Sequence, residues 1–416
     1  MGFFLLITSF LLFLFSSQKE YRKSLLCVFS FLWFLIISLY EMRLLQLYDI
    51  KKITYLVFWV GIVFFPIGYI SSKKSGSVSY VYNSEKKQNQ SVRTVLVFLS
   101  VLAVVSFFLK AVKAIPFWMS GGVGELKNAI IMDHALSINA FWDITFTYIG
   151  RPLQVVLNCY VIILIFQKKK EFLIYILFLL INILYFVASA SKYSIFELVT
   201  FYFAYLFFFS ADSLVSSLKK HKKETFLSLS ILTFVLYVMS TTTEIINGFY
   251  LYLCGCIPCA DNAISMMQGD TPFYGGVSLN GFLTMINAPR SYLGVFPEIK
   301  IYANECWDYM ARFENTTMIG NDIDFNAFIS MFSYFYADGG LYGVAIFSFL
   351  FGFWFQKINK KAFENPTYRS VALLLFGTYL ISTMMTRSPL YLVPNVMATL
   401  YLYIFVPKES IKTFNC

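Results

Sequence analysis

Charge is what this chain has least of: 13% of its 416 residues are Asp, Glu, Lys or Arg, against roughly 25% in a soluble globular domain. Histidine is scarcer, with only His134 and His221. A lone histidine with no second His or Cys beside it makes no zinc site. A membrane acyltransferase built on an intramembrane histidine also has no candidate, because neither histidine falls in an apolar run. The seven cysteines are too dispersed to staple a small domain. The net charge of +10 is spread over short loops and forms no basic stripe on a polar domain, which excludes nucleic acid as a partner. Loop lengths show no two comparable halves of the kind common in secondary transporters.

What is present is hydrophobic: 58% of residues are apolar and the mean hydropathy is +0.66. Runs near the length needed to cross about 30 Å of hydrocarbon lie at 2–17, 24–40, 53–71, 94–115, 147–166, 172–190, 193–210, 226–243, 341–356, 370–386 and 389–406. The expected fold is therefore all-α, a polytopic membrane protein of about 11 transmembrane helices. It has one long external loop, which contains short helices. The expected parts are a bundle over 1–243, the loop over 244–340, and a second bundle with a cytoplasmic tail over 341–416. The first run lacks a basic leading segment and a small-residue cleavage site, so it reads as a retained span.

Loop charge sets the orientation. Alternate loops at 19–23, 72–93, 167–171, 211–225, 357–369 and the tail from Pro407 sum to +14, and the opposite set sums to −4. Cations mark the cytoplasmic side, which predicts an external amino terminus, a cytoplasmic carboxyl terminus and an external 244–340 interval. That interval carries nine of the 23 acidic residues before Asn326.

Several external groups are candidates for chemistry. Arg151 lies inside an apolar run, where an ionisable group is expensive and functional by default; the alternative is a helix-entry arginine paired with a carboxylate, and Glu197 is such a partner for it or for Lys192. Lys192 closes the turn Ser189-Ala190-Ser191-Lys192, which suits either a phosphate or a capped helix start. Pro289 is expected to break any helix and present Arg290 on a turn, and Arg387 marks the last external turn. Lys110 and Lys113 are expected to snorkel to headgroups. Ser120 to Gly124 reads as a flexible turn before a short helix at 125–131.

Within the long loop, Phe249 to Leu253 suits an interfacial helix. Cys254, Cys256, Cys259 and Cys306 suit disulfides in an oxidising compartment more than a metal. Residues 298–314 mix both signs, as a solvated helix does. Asp322 and Asp324 could ligate a cation or cap a following helix. The run Phe325 to Tyr336 reads as a re-entrant or interfacial helix that meets the next span at Gly339-Gly340, placing Asp338 at the membrane surface facing protein.

Taken together, Arg151, Lys192, Arg290 and Arg387 could bind a diphosphate if the fold brings them together. Glu244, Asp322, Asp324 or Asp338 could deprotonate an acceptor hydroxyl, with His134 a further acid–base candidate. No cofactor and no metal is expected. The chain resembles the bacterial oligosaccharide repeat-unit polymerases (O-antigen polymerase-like family). The resemblance rests on the short first span followed by Lys19 to Lys23, on Pro66-Ile67-Gly68-Tyr69 and on the small-residue turn Ala188 to Lys192. It rests above all on Tyr334-Phe335-Tyr336-Ala337-Asp338-Gly339-Gly340-Leu341-Tyr342-Gly343 with Gly352 in the following span. It implies an enzyme at the outer face of the bacterial inner membrane that transfers a growing glycan from polyprenyl diphosphate to a new lipid-linked repeat unit. The implied partners are the lipid-linked oligosaccharide, the bilayer, a chain-length regulator and a flippase. A flippase of the same lipids and a related ligase are the competing readings.

Overall fold

The computed structural model describes residues 1–72, 90–131, 136–189, 193–210, 242–293, 297–325 and 328–411. Helix dominates it. The first group is α1 (Gly2–Ser16), α2 (Leu25–Met42), α3 (Lys52–Ser71), α4 (Gln90–Ile131), α5 (Ala140–Ile144), a π-helical turn (Thr145–Gly150), α6 (Arg151–Phe166), α7 (Phe172–Ser189) and α8 (Tyr193–Phe209). The polar interval holds α9 (Thr242–Cys254), α10 (Cys256–Met266), α11 (Asn280–Leu293), α12 (Pro297–Ala311) and the antiparallel strands β1 (Thr317–Gly320) and β2 (Ile323–Phe325). The chain ends in α13 (Ser330–Glu364), α14 (Tyr368–Thr383) and α15 (Val393–Phe405).

Among the described residues, six helical stretches are long and apolar enough to cross a membrane, and α1, 195–209 of α8 and α15 are shorter apolar helices. Every apolar window of the sequence except 226–243 falls on a helix; residues 226–241 of that window lie outside the described residues. The fold is thus all-α, with a single small hairpin among the described residues, and its apolar helices are those of a membrane protein.

Two compact units divide the chain discontinuously. The first contains Met1–Val81, Thr242–Lys360 and Leu380–Val396; the second contains Tyr82–Thr241, Lys361–Tyr379 and Met397–Cys416. The long polar interval therefore belongs with the first three helices.

In the first unit, aromatic side chains of α2, α3 and α13 form the core. Trp33 meets Phe58 and Phe332, and Phe29 stacks on Phe65 with ring centres 3.7 Å apart. Helices α3 and α13 touch backbone to backbone. A Cβ at Gly68 would collide with the Phe349 carbonyl, and one at Gly352 with the Phe65 carbonyl. Small residues permit such close crossings between helices in lipid, where packing replaces the hydrophobic drive. The Pro66 to Tyr69 stretch and Gly352, far apart in sequence, are therefore the two sides of one contact. Gly352→Ala is expected to lower stability by about 1–3 kcal/mol through overpacking, measured by thermal unfolding in detergent, whereas Ala at the open, helical Gly248 position is expected to cause no loss, since Ala is favoured over Gly in a helix.

In the second unit, α6 buries all its side chains but a few, whereas α7 leaves Phe172, Leu179 and Ile183 exposed, as a lipid-facing helix does. Lys110 does not snorkel: its Nζ lies 2.7 Å from Asp143 and 4.8 Å from the centre of the Phe146 ring. A carboxylate one helix away satisfies the ammonium better than a stretch to the headgroups would.

Three local expectations are corrected. The stretch Ser120 to Gly124 is helical, because α4 runs unbroken through it to Ile131. Helix α11 continues through Pro289, so Arg290 lies on a helix and not on a turn; the proline forfeits one i→i−4 hydrogen bond but does not end the helix. Asn321 and Asp322 turn the β1–β2 hairpin instead of capping a helix, with Asp322 at φ 55°. Asp and Asn tolerate that left-handed conformation better than other side chains. The Ile319 carbonyl accepts from Tyr48 N–H at 2.8 Å, which ties the hairpin to the α2–α3 connection.

Candidate functional site

The first unit gathers the polar interval around α12 and the amino-terminal half of α13. Helix α13 is broken at Gly339 and Gly340, the latter at φ 57° and ψ −144°, in the left-handed region that glycine occupies readily. Asp338 sits at this break and is 2% exposed. Its Oδ1 accepts from Val277 N–H at 3.0 Å and its Oδ2 from Ser278 N–H at 2.8 Å. The Ala337 and Asp338 carbonyls accept from Phe273 and Tyr274 N–H. A carboxylate with both oxygens taken by backbone donors is an anchor for the 273–278 turns, and its charge strengthens those bonds.

A second cluster lies at Glu314, just past α12. Tyr334 is fully buried and its hydroxyl donates to Glu314 Oε1. Arg387 Nη2 stands 3.6 Å from Glu314 Oε2, with the two side chains 25% and 20% exposed. Beneath them Tyr391 meets Tyr334 edge-on and stacks on Trp307 with centres 5.0 Å apart and planes at 5°. An aromatic floor thus holds a carboxylate and a guanidinium that both reach solvent. The mixed-sign pattern of 298–314 marks a solvated helix and hides Glu314 among its neighbours; no sequence signal distinguished it.

Beside the break in α13 opens a cavity of about 590 Å³, lined in part by Asp270, Tyr274, Tyr309, Tyr342, Gly339 and Gly340. Tyr309 donates to Asp270 Oδ2 at 2.7 Å. Burial, and then this bond to a carboxylate, push the Tyr309 phenol well above its usual range.

The other expected residues are placed as follows. Arg151 opens α6 directly after the π-helical turn, with Pro152 beside it. It is ion-paired to Glu197, donates to Gln154 Oε1 at 2.6 Å and lies 4.8 Å over the Tyr185 ring. Glu197 also accepts from Asn158, and Asn182 links Asn158 to Gln154. Arg151 is 12% and Glu197 0% exposed, so the alternative of an internally paired arginine is the observed one. Asp322 and Asp324 are exposed on the hairpin. Glu244 lies in α9 and Arg290 in α11. His134 and Lys192 lie outside the described residues.

Cys254, Cys256, Cys259 and Cys306 are free buried thiols and form no disulfide with one another. Burial pushes Cys254, Cys259 and Cys306 up to about 12, which favours the thiol over the thiolate. Among the described residues, no three His, Cys, Asp or Glu side chains are grouped to hold a metal ion. No family model, curated protein or solved structure matches the chain.

Proposed function

We propose that the chain is a membrane glycosyltransferase that polymerises lipid-linked oligosaccharide repeat units into a surface polysaccharide, an O-antigen or a capsule. In this reading eleven spans place the amino terminus outside, the carboxyl terminus in the cytoplasm, and the 244–340 interval at the outer face of a bacterial inner membrane. The observation that carries it is the Glu314–Arg387 pair on its aromatic floor. Arg387 supplies the guanidinium that holds the donor diphosphate and stabilises its departure. Glu314 takes the proton from the acceptor hydroxyl as the glycosidic bond forms and the bond to the diphosphate breaks. Asp338 acts indirectly, by holding the 273–278 turns. Arg151 is engaged with Glu197 and supports the helices around it.

The competing flippase reading draws on that buried Arg151–Glu197 pair, since charged groups within the helices mark transport paths. The pair is hydrogen-bonded to Gln154 and Asn158 and packs on the Tyr185 ring, which suits a fixed support better than a moving gate. Purified protein in lipid vesicles with synthetic lipid-linked repeat units decides between them. Lengthening of the glycan without nucleotide sugar is the expected result. Transbilayer movement of the lipid without lengthening would overturn the polymerase reading.

A further inference from the structure

The cavity beside the α13 break has a lining that does not suit a diphosphate. Its ionisable acids are Asp270 and Asp338, and among the described residues no Lys or Arg lines it, in a chain with 33 Lys and Arg against 23 Asp and Glu. An anion entering it would meet carboxylate and tyrosine faces, both of which repel negative charge. The same lining attracts a cation.

Three features make the attraction specific. Tyr274, Tyr309, Tyr336 and Tyr342 border the space, with Tyr274 84% and Tyr342 83% exposed, and aromatic faces bind ammonium groups through the ring quadrupole. Asp270 gives one oxygen to Tyr309, while its Oδ1 has no partner among the described residues. Room is guaranteed by glycine: a Cβ at Gly269, Gly339 or Gly340 would meet nothing within 4 Å. The protein already shows a cation on one of these rings, since the Arg312 guanidinium lies 5.9 Å from the Tyr309 centre without lining the cavity.

We propose that this cavity binds an alkylammonium group, with Asp270 as counter-ion and the tyrosines as its cage. The inference stands on the cavity alone and does not need the polymerase reading. Two sources offer the group: a lipid headgroup such as phosphatidylethanolamine, and an amino sugar bearing a free amine. Both fit a space whose floor includes Phe347 of an apolar helix and whose rim includes Asp270.

The test uses full-length protein in phosphatidylglycerol nanodiscs, titrated calorimetrically with choline and with 3,3-dimethylbutan-1-ol, which has the same shape and no charge. Choline is expected to bind at least tenfold more tightly than the alcohol. Asp270→Asn is expected to remove that preference, and Gly339→Trp to abolish choline binding by filling the space. The Gly339 backbone, at φ −177°, accepts a side chain. Should Gly339→Trp fail to fold, Tyr274→Ala at the exposed rim is expected to weaken choline severalfold. Equal binding of the two probes, no choline binding, or an unchanged preference in Asp270→Asn would overturn the proposal. Two further arms separate the sources. Loss of apparent choline affinity in phosphatidylethanolamine nanodiscs identifies the headgroup, and displacement by glucosamine but not N-acetylglucosamine identifies the amino sugar. Resistance of choline to all of these competitors would overturn both assignments. Glycan lengthening is a separate readout, so either inference can fail without the other.

Discussion

Glu197→Ala is expected to destabilise the protein by about 3–5 kcal/mol, the cost of leaving a buried charge without its partner. The stranded group is Arg151, at 12% exposure. Its remaining contacts, the Gln154 carbonyl oxygen and the Tyr185 face, supply dipole and quadrupole but no opposite charge. Arg151→Ala leaves the fully buried Glu197 with only Asn158 as a donor among the described residues and is expected to cost a similar amount. The double variant Arg151→Met/Glu197→Leu removes both charges and is expected to regain most of the loss, because an apolar pair of similar volume carries no desolvation penalty. Detergent-based unfolding of the wild type and the three variants measures these costs. Single-variant costs under about 1 kcal/mol would show that water reaches the pair and that it is not a support buried as described.

Arg387→Ala is expected to reduce glycan lengthening by about 10²–10³-fold, the usual loss when one preorganised group that stabilises transition-state charge is removed. The protein should remain folded, since Arg387 is partly solvated and its link to Glu314 is a 3.6 Å ion pair at the edge of the aromatic floor. Arg387→Lys keeps the charge and loses the fork geometry, so it is expected to recover only part of the activity. Glu314→Gln is expected to match the loss of Arg387→Ala while retaining an acceptor for the Tyr334 hydroxyl. Asp338→Ala differs in kind. It removes two buried backbone hydrogen bonds and should lower membrane abundance together with activity. Long-chain polysaccharide of normal length in the Arg387→Ala and Glu314→Gln strains would sink the assignment.

Much of the helical layout was legible in the sequence because a span needs a continuous apolar run, and such runs are local. Windows 24–40, 53–71 and 172–190 land within a residue or two of α2, α3 and α7. The break at Gly339-Gly340 was legible for the same reason, since adjacent glycines weaken a helix wherever they stand. Less legible were segments whose conformation depends on distant partners. Ser120 to Gly124 is glycine-rich yet helical within α4, and Asp322 turns a hairpin that is fastened to Tyr48, far away in sequence. Propensity is a weak prior in such places, and tertiary context overrides it.

The same division runs through the candidate site. Composition and periodicity by themselves determined that the chain is helical and apolar and that its polar chemistry concentrates in 244–340; they left Arg151 open between a functional cation and one paired with a carboxylate, with Glu197 already a candidate. Only the tertiary structure decided which carboxylate is an anchor and which reaches solvent. Asp338 and Glu314 look alike as residue types. One is closed off by two backbone donors and the other is left open between a tyrosine and an arginine, because those partners come from 277–278 in one case and from 334 and 387 in the other. Hydrophobicity is a property of each residue and can be read one position at a time, whereas the state of a polar group depends on which donors the fold brings to it.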